Sequence, residues 1–187
     1  MRFQLVTLLA LASSTLAQLQ PNFTSPAGVE IYNPSSFFNT TGPWSLMSQA
    51  GDTLYIAGRY SIPLTTRSPT TPQILTKSTP GMRGIYQQNS TLAPTGLPRI
   101  RQAYENMRDL AAMAGAELID CVRLVVYTTD MFRYRPMCNQ VQVELWGDDP
   151  SRYPPRTIVE VGRLNEDDIV EVEGTFWNPR KSGGGGR

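Results

Sequence analysis

The chain of 187 residues contains no histidine. Without an imidazole, a Ser-His-Asp triad, a Cys-His nucleophilic site and a histidine metal site are all excluded. Cysteine is nearly absent as well, since only Cys121 and Cys138 occur, and two thiolates alone make a poor zinc site. Any chemistry must therefore rely on carboxylates, arginine, tyrosine, hydroxyl groups or the backbone, and we expect no metal.

Charge is also scarce. Charged residues make up 18% of the chain, and the formal net charge is +1. This near-neutral balance provides no excess of positive charge that would attract nucleic acid or an anionic membrane, so neither is expected as a partner. The 40% hydrophobic content is typical of a single globular domain with an ordinary core.

The N terminus carries the one apolar run that suggests export. A basic start, MRF, precedes QLVTLLALA, and SSTLA supplies the small residues that a signal peptidase recognises. The run is too short to span a bilayer, so we expect a signal peptide over residues 1–17 and a protein that is secreted or held in the secretory lumen. Three sequons at Asn22, Asn39 and Asn89 are candidate glycosylation sites.

Export would also permit a disulfide between the two cysteines, because an oxidising compartment allows one to form. Cys121 and Cys138 both lie among apolar residues, however, where a free cysteine behaves as a small hydrophobic side chain. The sequence leaves both states open.

Composition divides the mature chain into an arm, a domain and a tail. Residues 18–48 are rich in Pro, Asn, Ser and Phe and predict an extended arm, and residues 49–178 predict the folded domain. Within that domain, residues 64–97 are rich in Thr, Pro, Ser and Gly and predict a long loop insert, such as a lid or a binding loop. Residues 179–187 predict a flexible, glycine-rich tail.

Hydrophobic periodicity predicts the elements of the domain. A strand is expected over Asp52–Pro63, with a bulge or close backbone approach at Gly58. Apolar residues at spacings of three and four predict a helix from Pro98 to Gly115, and Ile119–Thr129 has the composition of a buried strand. A second helix is expected over Pro136–Gly147. This order predicts an α+β fold, in which two helices pack on one face of a mixed sheet.

The C-terminal stretch from Tyr153 to Trp177 alternates between charged and apolar residues and predicts a β-hairpin. Its valines and Phe176 should face the helices. The charged side chains should then share the opposite face of the sheet: Arg156, Glu160, Glu171 and Glu173. Such a face is either solvated, with ion pairs of about 0–1 kcal/mol each, or part of a site between subunits.

From about Gly42 to Trp177 the sequence resembles the Rid family of reactive-intermediate deaminases, also called YjgF-like proteins. The resemblance lies in GPW, LYIAG…IP, RQAYENMRDLAAMAG, VYTTDM, YPPRTIVEV and RL…IVEVEG. It implies a chorismate-mutase-like α+β fold and a homotrimer with pockets between subunits. It further implies hydrolysis of 2-imino or 2-enamino acids to 2-oxo acids and ammonia, without a cofactor.

The resemblance also assigns site residues. Arg156 matches the arginine that binds the substrate carboxylate, and Glu171 matches the glutamate that positions the hydrolytic water. Four pocket positions are apolar or lack a side chain in this sequence: Trp44 where a tyrosine is typical, Ala57 where serine is frequent, Gly58, and Ile158 where cysteine is frequent. Asn139 matches a pocket asparagine.

Three other functions remain open on the sequence alone. The apolar replacements favour a tailoring enzyme of secondary metabolism, which would hydrate, dehydrate, isomerise or cyclise a larger carboxylate or carbonyl compound in the same pocket. A secreted, non-catalytic trimer that binds a small molecule is the next possibility. Ribonuclease activity, which has been attached to some family members, fits least, because the chain has neither a basic surface nor histidine.

Overall fold

The computed structural model describes residues 19–40, 43–57, 60–66, 73–79 and 82–179. The expected signal peptide, Gly58 and residues 180–187 of the expected tail lie outside these ranges. Among the described residues, no helix has both the length and the apolar character that crossing a membrane requires.

Nine strands and two helices follow one another along the described chain. The strands are β1 (Phe23–Thr24), β2 (Glu30–Tyr32), β3 (Met47–Ala50), β4 (Thr53–Ile56), β5 (Tyr60–Thr66), β6 (Gln73–Thr79), β7 (Cys121–Thr128), β8 (Arg156–Glu160) and β9 (Val170–Trp177). The helices are α1 (Leu97–Met113), between β6 and β7, and α2 (Met131–Trp146), between β7 and β8.

Seven of these strands form one sheet in the order β1-β2-β3-β4-β9-β7-β8, and β5 pairs with β6 in a separate two-stranded sheet. Only β7 and β8 run parallel, with α2 as the crossover between them, and every other described pair is antiparallel. The predicted α+β fold with a mixed sheet is confirmed.

The hydrophobic core lies between the sheet and the two helices. Helix α1 packs on β9 through the apolar stripe that its sequence predicts, in which Tyr104, Met107 and Leu110 are fully buried. Gly174 of β9 allows this contact, because a Cβ atom there would lie 2.7 Å from the Met107 sulfur. The face of β9 with Val170, Val172, Gly174 and Phe176 is therefore the helix-covered face, as predicted.

Helix α2 begins earlier than the sequence predicts. It starts at Met131 rather than at Pro136, because Asp130 caps it by accepting a hydrogen bond from the backbone N–H of Arg133 at 2.9 Å. Pro136 therefore lies inside the helix instead of opening it. The predicted C-terminal end is confirmed by Gly147, whose φ of 85° favours glycine.

The N-terminal arm and the long loop contain more structure than their compositions predict. Residues 18–48, expected to be an extended arm, contribute β1 and β2 to the edge of the sheet, and Phe37 and Phe38 are buried in the core. Residues 64–97, expected to be a loop, contain most of the paired strands β5 and β6 and the first residue of α1.

The predicted C-terminal hairpin is wrong. Strand β8 pairs with β7 at the edge of the sheet, and β9 pairs with β4 and β7, so that β7 lies between the two expected partners. The predicted alternation along β8 is confirmed, but its assignment to the two faces of the sheet is reversed. Arg156 and Ile158 are aligned with Leu124 and Val126 on the helix-covered face, whereas Val159 is exposed on the open face. The two strands are joined through a turn at Asn165–Asp167 and do not form a tight hairpin. The side chains that face the helices on β9 therefore did not determine which side chains face the helices on β8.

Candidate functional site

Arg156 begins the edge strand β8, and two amide side chains of α2 hold its guanidinium group. Its Nη1 donates to Gln142 Oε1 at 2.8 Å, and its Nη2 donates to Asn139 Oδ1 at 2.7 Å. Because 139 and 142 are three residues apart, both side chains lie on the side of α2 that faces β8. Both partners are neutral, so the positive charge of Arg156 stays available to attract an anion.

The guanidinium group also has buried neighbours beneath it. The hydroxyl of Tyr104, from α1, lies beside Arg156 and the thiol of Cys138. Burial is the main reason that the pKa of Tyr104 is raised, and burial likewise raises the pKa of Cys138 to about 11, although the nearby Arg156 opposes the shift in each case. Both groups are therefore neutral near pH 7, and neither cancels the charge of Arg156.

An open cleft of about 310 Å³ lies over Arg156. Asn139 and Gln142 line it on the polar side, and Val143, Tyr153 and Pro154 supply its apolar wall. Ile158 follows two residues after Arg156 on the same face and packs against the core. We call Asn139, Gln142, Arg156 and Ile158 the arginine half of the site.

Glu171 lies on β9 and is fully buried, with 0% exposure. Its side chain lies on the face of the sheet opposite the helices, because Val170 and Val172 on either side of it belong to the helix-covered face. We call this opposite face the open face, although it is exposed at Tyr55 and Val159 and closed at Glu171. Ala57 follows the end of β4, the neighbouring strand, and donates its backbone N–H to the carbonyl oxygen of Leu46 at 3.2 Å. Trp44 comes two residues before Leu46. The sequence interpretation placed Trp44 and Ala57 in the same pocket as Glu171, and we call these three residues the glutamate half.

The two halves are separated within one chain. Arg156 and Glu171 lie on opposite faces of the sheet, with β7 between their strands. Two strand spacings correspond to about 10 Å between the backbones, and the register adds three residue positions, or about 10 Å, along the strands. The prediction that both side chains share one face is therefore wrong for the single chain.

Trp44 carries an unusual donor. Its indole Nε1 is buried, yet it has no hydrogen-bond acceptor in the part of the chain that the structure describes. A buried donor without a partner costs about 1–3 kcal/mol. Gly58, the remaining predicted pocket residue, lies outside the described residues.

The remaining expected residues are the three sequon asparagines and the two cysteines. Asn22, Asn39 and Asn89 are all exposed, as glycan attachment requires. Cys121 and Cys138 are both buried free thiols, so the structure favours the second of the two states that the sequence left open. No group of three or more Cys, Asp or Glu side chains that could hold a metal ion occurs among the described residues.

Gln142 is the functional candidate that the sequence interpretation missed. It is 6% exposed, and its burial together with its contact to Arg156 marks it as a support for the guanidinium group. The sequence feature that could have identified Gln142 is its position: it is a polar residue among the apolar residues of a helix face, three residues after the predicted Asn139.

Comparisons with known proteins agree on the family. A family model described as endoribonuclease L-PSP matches residues 35–176. A RutC family protein of Pyrococcus horikoshii is 32% identical over 132 residues, which cover 71% of this chain and 84% of that protein. A 2-iminobutanoate/2-iminopropanoate deaminase of the mite Dermatophagoides farinae is 25% identical over 132 residues, covering 71% of this chain and 83% of the deaminase.

A solved structure shows the same fold. It belongs to a protein of Rhodopseudomonas palustris described as a probable translation initiation inhibitor. The TM-score is 0.65 at 34% identity, and the match covers 81% of this chain and 99% of that one.

Proposed function

The chain belongs to the endoribonuclease L-PSP family, also called the YjgF or Rid family, and on that premise we propose that it hydrolyses 2-imino or 2-enamino acids to 2-oxo acids and ammonia. One observation carries this proposal. An arginine held by two neutral amides at 2.7 and 2.8 Å is prepared to bind a small carboxylate in an open cleft.

The site that we propose forms between two copies of the chain. Because β7 and the thickness of the sheet separate Arg156 from Glu171, one copy would supply the arginine half and a second copy the glutamate half. The position of Arg156 on the edge strand β8 supports this arrangement. So does the open face of the sheet, on which Tyr55 and Val159 are 47% and 38% exposed. In the proposed homotrimer, three such clefts would form.

The chemistry requires one base and one anchor. Arg156 would hold the substrate carboxylate and orient the C=N carbon next to a bound water. Glu171 would take a proton from that water as its oxygen attacks the carbon and would pass this proton to the imine nitrogen, giving a neutral tetrahedral amino alcohol. Glu171 would then carry the hydroxyl proton to the nitrogen, so that the C–N bond breaks, ammonia leaves and the carbonyl of the 2-oxo acid forms. One water is consumed for each ammonia, and no electrons are transferred.

The direct experiment is to generate 2-aminoacrylate in solution and to follow ammonia and pyruvate with and without the purified protein. We expect the protein to accelerate both products equally. An assembled protein that leaves the spontaneous rate unchanged would contradict the deaminase proposal and favour a non-catalytic binding trimer.

A tailoring reaction on a larger substrate is the second candidate, and the apolar wall of the cleft favours it. Val143 is 42% exposed beside Tyr153 and Pro154. With imino acids of increasing side-chain size, a preference for long or aromatic side chains would support this candidate. A preference for three- and four-carbon substrates would count against it.

We also propose that the protein works outside the cytosol. The signal-like N terminus and the exposure of all three sequon asparagines support this. Sequencing the N terminus of the natural protein is the simplest check, since a mature chain beginning after Ala17 is expected and one beginning at Met1 would contradict export.

A further inference from the structure

An ion-pair network with a buried Arg83–Asp168 pair at its centre lies beside Glu171, and neither the sequence interpretation nor the proposed reaction accounts for it. Arg83, 5% exposed, donates from Nε to Asp168 Oδ2 at 2.8 Å and from Nη1 to Glu166 Oε2 at 3.0 Å. Asp168 is 1% exposed, and its Oδ1 lies 3.6 Å from Nη1 of Arg99. Burial disfavours the charged form of Arg83, but the attraction of Asp168 and Glu166 outweighs it and raises the Arg83 pKa.

The network connects two segments that meet at the proposed base. Met82, directly before Arg83, forms two backbone hydrogen bonds with Val172, at 2.6 and 2.9 Å. Val172 directly follows Glu171, and Asp168 lies three residues before Glu171. Residues 82–83 are thus joined to the start of β9 at two points, one on each side of Glu171.

Met82 fills a gap in the sheet at this position. Strand β4 pairs with β9 only from Gly174 to Trp177, so it does not reach the first half of β9. Met82 forms the bridge at Val172 instead, while β7 pairs along the other edge of β9. The backbone at Glu171 is therefore held partly by residues 82–83, whose own position depends on Arg83.

The segment around Arg83 is itself fixed to α1. The side chain of Asn106, fully buried, donates from Nδ2 to the carbonyl oxygens of Arg83 and Ile85, both at 2.8 Å. A Cβ atom on Gly84 would lie 2.2 Å from the carbonyl oxygen of Arg99, so only glycine allows this close approach. The Asp168 carboxylate also accepts a hydrogen bond from its own neighbour, the Ile169 N–H, at 2.8 Å.

We propose that Arg83 and Asp168 are positioning residues for Glu171 in the reaction proposed above. They act through the backbone: the ion pair fixes residues 82–83 against residues 168–172, and this contact sets where the Glu171 carboxylate meets the attacking water. Because a misplacement of about 1 Å can cost 10²-fold in rate, such a clamp affects turnover more than substrate binding.

The test uses the double variant Arg83→Met/Asp168→Leu. Replacing a buried ion pair with packed hydrophobic side chains often leaves stability unchanged, whereas Asp168→Asn alone would leave the charge of Arg83 buried without its partner. Because Asp168→Leu also removes the anionic partner of Arg99, unfolding of the double variant is measured in parallel. For the double variant we expect kcat to fall by about tenfold or more, with KM within about twofold of wild type, since the arginine half is untouched. The control is Arg163→Ala, which removes an exposed ion pair with Asp167 in the preceding turn and should keep the wild-type kcat.

Amide hydrogen exchange at Val172 separates this proposal from the deaminase proposal. A folded double variant with wild-type kcat would overturn the positioning role. If the wild-type protein has no deaminase activity, the exchange rate still tests whether the ion pair holds residues 82–83 against β9. Faster exchange at Val172 in the double variant than in Arg163→Ala would support the clamp, and equal exchange would overturn it.

Discussion

Replacing Arg156 with alanine is expected to lower kcat/KM for a 2-imino acid by about 10²–10⁴-fold, mainly through a higher KM. The variant loses two charge-assisted hydrogen bonds to the substrate carboxylate, each worth about 1.5–3 kcal/mol. Arg156→Lys should recover only part of the loss, because lysine keeps the charge but not the planar fork that binds both oxygens. Steady-state kinetics on the three proteins is the measurement.

A matched control separates binding from folding. Arg101 on α1 forms an ion pair with Glu144 at 2.8 Å, with side-chain exposures of 37% and 36%. Arg101→Ala should therefore leave kcat/KM close to wild type, because an exposed pair contributes only about 0–1 kcal/mol. Removing Arg156 also takes the donor from the buried Gln142 oxygen, so unfolding is measured in parallel. Wild-type kcat/KM in a folded Arg156→Ala variant would remove the arginine from the mechanism.

Replacing Glu171 with glutamine is expected to lower kcat by about 10²–10⁴-fold while KM changes little. The amide has nearly the same shape as the carboxylate but cannot take a proton from the attacking water, and general-base catalysis contributes a factor of this size. The arginine half is unchanged, so the ligand should still bind. Turnover of 2-aminoacrylate, together with the affinity of a stable 2-oxo acid, measures the two effects separately.

Glu173→Gln is the control for this change. Glu173 lies two residues further along β9, on the same open face, and burial raises its pKa while Arg123 opposes the shift. Its replacement removes a carboxylate from the same surface without touching the proposed base, so kcat should stay within a few-fold of wild type. If kcat fell equally in Glu173→Gln and Glu171→Gln, any carboxylate replacement on this face of β9 would lower activity, and a specific role for Glu171 would be contradicted.

Periodicity correctly predicted the elements that bury one continuous apolar face. The stripe of α1 and the alternation of β9 each bury a continuous apolar face, so spacing alone gave the correct element and the correct face. Where two signals competed, the prediction failed. Pro136 suggested a helix start, but the helix starts five residues earlier, where the side chain of Asp130 accepts a hydrogen bond from the Arg133 N–H. Most of the paired strands β5 and β6 lies in the stretch 64–97, whose Pro and Thr content favours loops.

Local sequence patterns could not predict which distant residues of the site come together. Alternation identified Arg156 and Glu171 as unusual, but the partner of β8 depends on which strand reaches the sheet edge, and this reversed the predicted face of Arg156. The network of Arg83 and Asp168 joins residues 85 positions apart, and local sequence carries no sign of such a contact. The contact between Arg83 and Asp168 is visible only in the three-dimensional structure.

Subunit complementation tests the central claim, that Arg156 of one copy and Glu171 of another form one site. Arg156→Ala and Glu171→Gln should each be nearly inactive alone, and the two variants are mixed, unfolded and refolded together. In mixed assemblies about one cleft in four would combine an intact Arg156 with an intact Glu171 from the neighbouring copy. We therefore predict recovery to about a quarter of the wild-type kcat per chain. Refolded mixtures that assemble normally but remain as inactive as the separate variants would contradict the claim.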